Sequence, residues 1–230
     1  ALVETKKDFW SAPQRLVKIT ATTDEDLIVA FNKNRDGILK LFVELERERT
    51  NFRYRMALES KVMEKVRNNF NLKIKIPVGY SISKAESNFM WIRREPLKFS
   101  QGIIIYTQVY SDTLQFSPEQ IINRRDKIVE KKIPGPRENS FMTTAVQFIA
   151  PEFKELTFDG KYAMETRGLW ETEGDFMGGP FVSYTFVDES RNLLYTLEAY
   201  VYAPNDEKAL LLHQLESILS TTQLIEKVKE

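Results

Sequence analysis

The sequence predicts an α+β fold, mainly antiparallel sheets with amphipathic helices packed on them, built as two divergent αβ repeats. Three observations carry this prediction. Several runs alternate apolar and polar residues, or are rich in β-branched and aromatic residues, as half-buried strands are. Other runs hold an apolar stripe at the helical period. Finally, the segments after Val109-Tyr110 and Val201-Tyr202 look alike: a strand ending in Val-Tyr, a short loop, then an amphipathic helix.

Each element follows in order. "RLVKITATT" (Arg15 to Thr23) is β-branched and reads as a strand. "TDEDLIVAF" supplies a cap and early acids for a helix. Leu27, Ile28, Phe31, Ile38, Leu41, Phe42, Leu45, Phe52 and Met56 keep one stripe, and Gly37 falls off it, so the spacing predicts one long helix or two collinear ones. At a rise of 1.5 Å per residue it would span roughly 45 Å. Val62, Met63, Val66 and Phe70 mark a further helix that Asn71 ends. "LKIKIP" alternates strictly and reads as a strand with one wet face. "PVGY" is a turn, "NFMWIRRE" a strand, and the isoleucine triplet of "QGIIIYTQVY" a central strand covered on both faces. Ser117, Pro118 and Gln120 open a helix with a capping box. "KKIPGPREN" reads as a linker. Strands then fall near Phe153–Phe158, Lys161–Thr172, Phe181–Val187 and Leu193–Tyr202, with "DESRN" as a hairpin loop. A last helix runs from about Asn205 to Leu219. The expected organisation is one compact unit over 1–230, with 1–55 a strand and long helix, 56–133 a first αβ repeat and 137–222 a second.

Composition bounds the function. Lys plus Arg and Asp plus Glu are 33 each, so the formal net charge is zero, without the basic excess typical of nucleic-acid binding. There is no cysteine, which removes disulfides, thiolate metal sites and thiol nucleophiles. The lone histidine, His213, falls off the stripe of the last helix and reads as solvated. Catalytic triads and histidine-zinc sites therefore lack parts, and no glycine-rich phosphate loop occurs. No cofactor is expected. No apolar run approaches the ~20 residues needed to span a bilayer. The chain begins at Ala1 and shows no signal segment, which reads as a processed product.

The segments "FWSAPQ", "ERER", "IPVGY", "FMWIRRE", "SQGIIIY", "PGP", "MTT" and above all "RGLWETEGDFMGGPFVS" span nearly the whole chain. On these segments the sequence resembles a family of Bacteroidetes envelope lipoproteins catalogued as a domain of unknown function. The resemblance implies a precursor anchored by a lipid on an N-terminal cysteine that this chain lacks. It implies a place in the cell envelope, at the periplasmic face or the surface, with membrane contact only through that anchor. It supplies no catalytic residues.

Two readings of function remain. The leading one is a non-enzymatic binding or interaction module for an envelope protein or glycan. The alternative is a carboxylate-dependent hydrolase acting on an envelope glycan. For the latter, Glu165, Glu171, Glu173 and Asp175 crowd one stretch, and two carboxyls on one strand face would lie about 7 Å apart, within the 5 to 10 Å that such chemistry uses. Alternating acids are also what the wet face of a strand looks like. Arg125 and Arg49 sit on apolar helical stripes and need partners. Glu95, Glu165 and Glu198 are the candidate partners for these two arginines, in a salt bridge fixing helix to sheet or in an anion pocket. In "GDFMGGP" the glycines read as a wide turn with positive φ, and Pro180 as the start of a strand. Phe176 and Met177 read as tucked beneath that turn, or else as a contact surface.

Overall fold

The structure is a computed structural model and describes residues 1–225. The chain divides into two compact units after Met56. In the first, β1 (Leu2–Lys7) and β2 (Arg15–Thr20) form an antiparallel hairpin, followed by α1 (Asp24–Tyr54). α1 is one continuous helix. The Thr23 hydroxyl accepts from the Asp26 amide at its start, where Asp24, Glu25 and Asp26 oppose the helix dipole. The Arg49 guanidinium bonds the Pro13 carbonyl at 3.0 and 3.2 Å and pairs with Glu46 at 2.6 Å. Arg49 therefore ties the helix to the hairpin loop.

The second unit begins with α2 (Ser60–Phe70), which Asn71 ends at φ 53. In "LKIKIP" the alternation is as read: Leu72, Ile74 and Ile76 are buried, Lys73 and Lys75 exposed. Only Leu72–Lys73 (β3) joins a ladder, with a short strand at Gln223–Leu224. Next come β4 (Ser81–Ala85), β5 (Phe89–Arg94) and β6 (Ser100–Val109). A 3-10 turn leads into α3 (Pro118–Lys132), where the Ser117 hydroxyl accepts from the Gln120 amide. Then follow β7 (Phe141–Thr144), β8 (Glu152–Phe158), β9 (Lys161–Glu173), β10 (Gly178–Asp188) and β11 (Leu193–Tyr202). α4 (Ala209–Leu219) and β12 (Gln223–Leu224) close the described chain. α4 starts later than the sequence predicts, because Asn205 adopts φ 66.

Eight of these strands form one antiparallel sheet, in the order β4-β5-β6-β11-β10-β9-β7, with β8 also paired to β9. β6 and β11 lie at its centre, and Ile103, Ile104 and Ile105 are fully buried, as a strand covered on both faces requires. The α+β class with antiparallel sheets and packed helices is what the sequence predicts.

Strand alternation assigns the faces. Arg167 on β9 reaches Glu216 of α4 at 2.5 Å, and the Gln101 amide donates to the Leu211 carbonyl at 2.9 Å. The Tyr195 hydroxyl donates to the Phe70 carbonyl at the end of α2. Gln101, Arg167 and Tyr195 share a face in the register, so α2 and α4 cover that side. Glu198 faces the other way and pairs with Arg125 of α3. A two-fold axis perpendicular to the sheet, the operation relating neighbouring antiparallel strands, would put α3 and α4 on one face. They lie on opposite faces, so the likeness of the two strand-to-helix junctions stops at the strand ends. "KKIPGPREN" is no linker between them: the Met142 amide donates to the Ile133 carbonyl, and Pro134 bridges to Phe141.

Burial pushes the Tyr106 and Tyr195 phenols up to about 12, with Glu198 and Asp188 respectively adding repulsion. The unfolded chain releases these protons near 10, so it holds fewer protons than the folded chain between 10 and 12. Stability is full below pH 10 and falls as pH rises through that window. Urea midpoints measured from pH 8 to pH 11.5 are expected to drop, and the slope to flatten in Tyr106→Phe. A slope unchanged in that variant contradicts the assignment.

Candidate functional site

On the α3 face, the ends of β5, β6, β9 and β11 enclose a cavity of about 460 Å³. Its walls are aromatic: Trp91, Trp170, Tyr200 and Tyr202, with Ile133, Met142 and Met177 beside them. Gly102 seats the floor. A Cβ there would lie 2.0 Å from the Tyr200 ring, so glycine lets the phenol lie flat across β6. The Tyr200 hydroxyl then accepts from the Trp91 indole at 2.9 Å. Trp170 packs edge-on against Tyr200, 5.2 Å between ring centres, and donates its indole N–H to the Val201 carbonyl at 3.2 Å. Burial holds the Tyr200 phenol well above its usual range, hence neutral. The Arg93 guanidinium stacks on Trp91 at 4.4 Å and pairs with Glu95.

Two loops form the rim. Ile133, Pro134, Gly135 and Pro136 supply one side, and Thr172 and Met177, flanking the β9–β10 turn, the other. Gly135 passes so close to Ser140 and Thr172 that a Cβ would meet them at 2.3 and 2.4 Å. Arg137 reaches Asp175 at 3.7 Å and stacks over Phe176, joining the loops.

Residues 59–221 match the family model described as Domain of unknown function (DUF4837). The chain belongs to that family. Residues 1–55, nearly all of the first unit, match a second model, Domain of unknown function (DUF8532). No curated protein matches the sequence. Among solved structures, the Ran-binding protein Mog1p of Saccharomyces cerevisiae is similar over 68% of this chain and 91% of its own, at 10% identity and TM-score 0.42. A mutant form of Mog1 is similar over 68% and 92%, again at 10% and 0.42. LpqN, involved in cell envelope biogenesis of Mycobacterium tuberculosis, is similar over 66% of this chain and 82% of its own, at 15% and 0.37. None of these likenesses is close enough to pass a function across.

Within the DUF4837 region the structure scatters the expected acids. β9 alternates without a break opposite β10, so Glu165, Glu171 and Glu173 face away from Trp170 and Thr172. Glu165 pairs with Arg167 at 2.8 Å, Glu171 accepts from Gln147 at 2.6 Å, and Glu173 is exposed. Asp175 is the loop tie already described. Among the described residues no group of three metal-ligating side chains converges. His213 is only partly open to solvent, at 22% of its side chain: Nδ1 lies 3.4 Å from Glu216, and Nε2 is buried with no hydrogen-bond partner.

The glycine corner is also different from its sequence reading. Gly174 makes the turn at φ +78, whereas Gly178 and Gly179 already belong to β10. A Cβ on Gly179 would stand 2.0 Å from the Val201 carbonyl oxygen, so this glycine serves close strand approach. Phe176 and Met177 part company. Met177 packs on the aromatic core, while Phe176 is 91% exposed and stands over Arg137 instead of tucking beneath the turn. Sequence reasoning missed Trp91, Arg93 and Trp170 as site residues. The signal lay in the quoted segments, since "FMWIRRE", "SQG", "PGP", "MTT" and "RGLWETEGDFM" all contribute to the cavity.

Arg125 finds Glu198 among its three expected partners, through Nε and Nη2 at 2.8 Å each. Both side chains are buried, at 1% and 0% exposure. Removing one partner strands the other charge, at a cost of about 3–5 kcal/mol. Arg125→Met or Glu198→Leu alone is therefore expected to lose about that much stability, and the double variant to recover most of it. Additive losses in chemical denaturation contradict a coupled pair.

Proposed function

We propose that this protein is a non-enzymatic binding module of the cell envelope, and that the aromatic cavity of its DUF4837 region takes the ligand. One observation carries the reading: four stretches far apart in sequence, 91–100, 133–142, 170–177 and 200–202, build one largely apolar, aromatic-walled cavity whose volume suits a small ligand or a buried anchor group. Glu95 is the carboxylate that lines it, and Arg93 neutralises it. The acids of β9 that a hydrolase would use face the other side of the sheet.

The envelope address rests on the family resemblance, as does a lipid anchor on the precursor. Among the described residues no helix is long and apolar enough to cross a membrane. The precursor is expected in the membrane fraction and to take up labelled fatty acid; a full-length product in the cytosol without label overturns the address.

The cavity is tested with the neutral dye N-phenyl-1-naphthylamine. Its fluorescence is expected to rise saturably, at one dye per chain. Ser100→Trp, which fills the mouth, abolishes this, and Phe176→Ser, outside the walls, does not. Absence of saturable dye binding overturns the site.

A further inference from the structure

We infer that the cavity holds a single-chain amphiphile with an anionic head, a long-chain carboxylate, seated by Arg93; this rests on the binding reading above. The polar inventory is what narrows the ligand. Both indole N–H groups in the walls are already engaged, Trp91 with the Tyr200 hydroxyl and Trp170 with the Val201 carbonyl. The Tyr200 hydroxyl accepts that bond and keeps its own O–H, and the hydroxyls of Ser100, Thr172 and Tyr202 also line the cavity. A sugar brings hydroxyls all round its ring, more than these few groups on a largely apolar wall can pair, and burying them unpaired is costly. An extended peptide needs a free strand edge. This cavity lies on the sheet face, where the ladders of β5, β6 and β11 are already paired on both sides.

An apolar chain needs none of those partners. Met142 and Met177 are unbranched and adapt to a flexible chain, and the aromatic faces supply contact area. At about 460 Å³ the cavity lies in the size range of small-ligand sites, which suits one such chain.

The head group is set by Arg93. Its Nε is buried without a hydrogen-bond partner, while the guanidinium already stacks on the Trp91 wall. A fork with one donor vacant is complementary to a carboxylate, which accepts at two oxygens. Glu95 holds the same guanidinium and is half-exposed at 48% of its side chain, so it is the group the ligand displaces. The bound carboxylate takes the place of Glu95 on the guanidinium, and the half-exposed Glu95 carboxylate turns to water.

The test is competition against bound N-phenyl-1-naphthylamine, using tetradecanoate, tetradecanol and the sugar chitotriose below micellar concentrations. Tetradecanoate is expected to displace the dye at a concentration about ten-fold or more below that of the alcohol, as a charge-assisted bond provides. Arg93→Gln removes the acid's advantage and Glu95→Gln enlarges it, each read against that variant's own dye affinity and thermal midpoint. A purely structural role for the pair would shift acid and alcohol together. Equal displacement by acid and alcohol in the unaltered protein overturns the inference, as does displacement by chitotriose alone, which assigns the site to a glycan. Dye binding that no amphiphile reverses leaves the cavity standing and removes this ligand class; absence of dye binding removes both.

Discussion

The second unit hangs on the ion pair between Arg125 and Glu198. Glu198 lies mid-strand on β11, beside β6 at the sheet centre, and Arg125 mid-helix on α3. Burial pushes the Glu198 carboxyl up, against the pull of Arg125, and an unpaired charge there would not survive in ionised form. The guanidinium also donates to the Thr144 hydroxyl at 2.9 Å and lies over the Phe181 ring at 4.1 Å. One side chain therefore fixes α3 against β11, β7 and β10 at once. Two apolar residues of the same volume would give comparable stability. What they would not give is position. A bidentate pair sets the helix along its axis, and α3 runs directly into Ile133 and Pro134, one side of the cavity rim. The shape of the site follows from where this pair holds the helix.

Strand parity makes the second constraint. Along β9 the odd positions carry Glu165, Arg167, Glu171 and Glu173, and the even positions Thr166, Gly168, Trp170 and Thr172. One strand thus presents charge to the α4 side and an aromatic wall to the α3 side. On the α4 side Arg167 sits between Glu165 and Glu216; burial works against its charge, and these two carboxylates outweigh it and hold the guanidinium charged. A slip of one residue would exchange the two faces, burying three acids under α3. The acids are thus part of what fixes the register, which is a sufficient role for them without chemistry.

The sequence made most of this fold legible, and the exceptions have physical causes. Long stripes and caps located α1, α2 and α3, because periodicity and capping are local. β10 and β11 were legible from their β-branched and aromatic content. β4 was not: Ser81, Ser83 and Lys84 give an edge strand almost no apolar signal, and its pairing to β5 comes from the sheet. β1, with Glu4, Lys6 and Lys7, fails for the same reason. The Arg125 partner was legible as one of three because a charge on an apolar stripe announces a need but not its answer. Phe176 misled, since an apolar residue on a loop reads as tucked. Here Arg137 offers its guanidinium face to the ring, and the side chain stays out. His213 misled in the opposite sense. An angle off the stripe locates the side chain around its helix but takes no account of Glu216 one turn on, which draws it inward.

The cavity was the least legible feature, because none of its pieces is a motif by itself. A lone Gly102 in a strand reads as a weakness. Its meaning appears only across β11, where Tyr200 needs the space that a methyl group would fill. That placement brings the phenol to Trp91, and the bond between them removes the indole donor from the cavity surface. Trp170 removes its own donor in the same way against Val201. Large aromatic residues usually bring both contact area and a polar handle to a binding site. In this wall the indole donors of Trp91 and Trp170 are both engaged within the protein, and the aromatic side chains line the cavity. Recognition is thereby left to apolar contact over most of the surface, with charge concentrated at Arg93 and Glu95, and a ligand matching that division is apolar along its body and charged at one end.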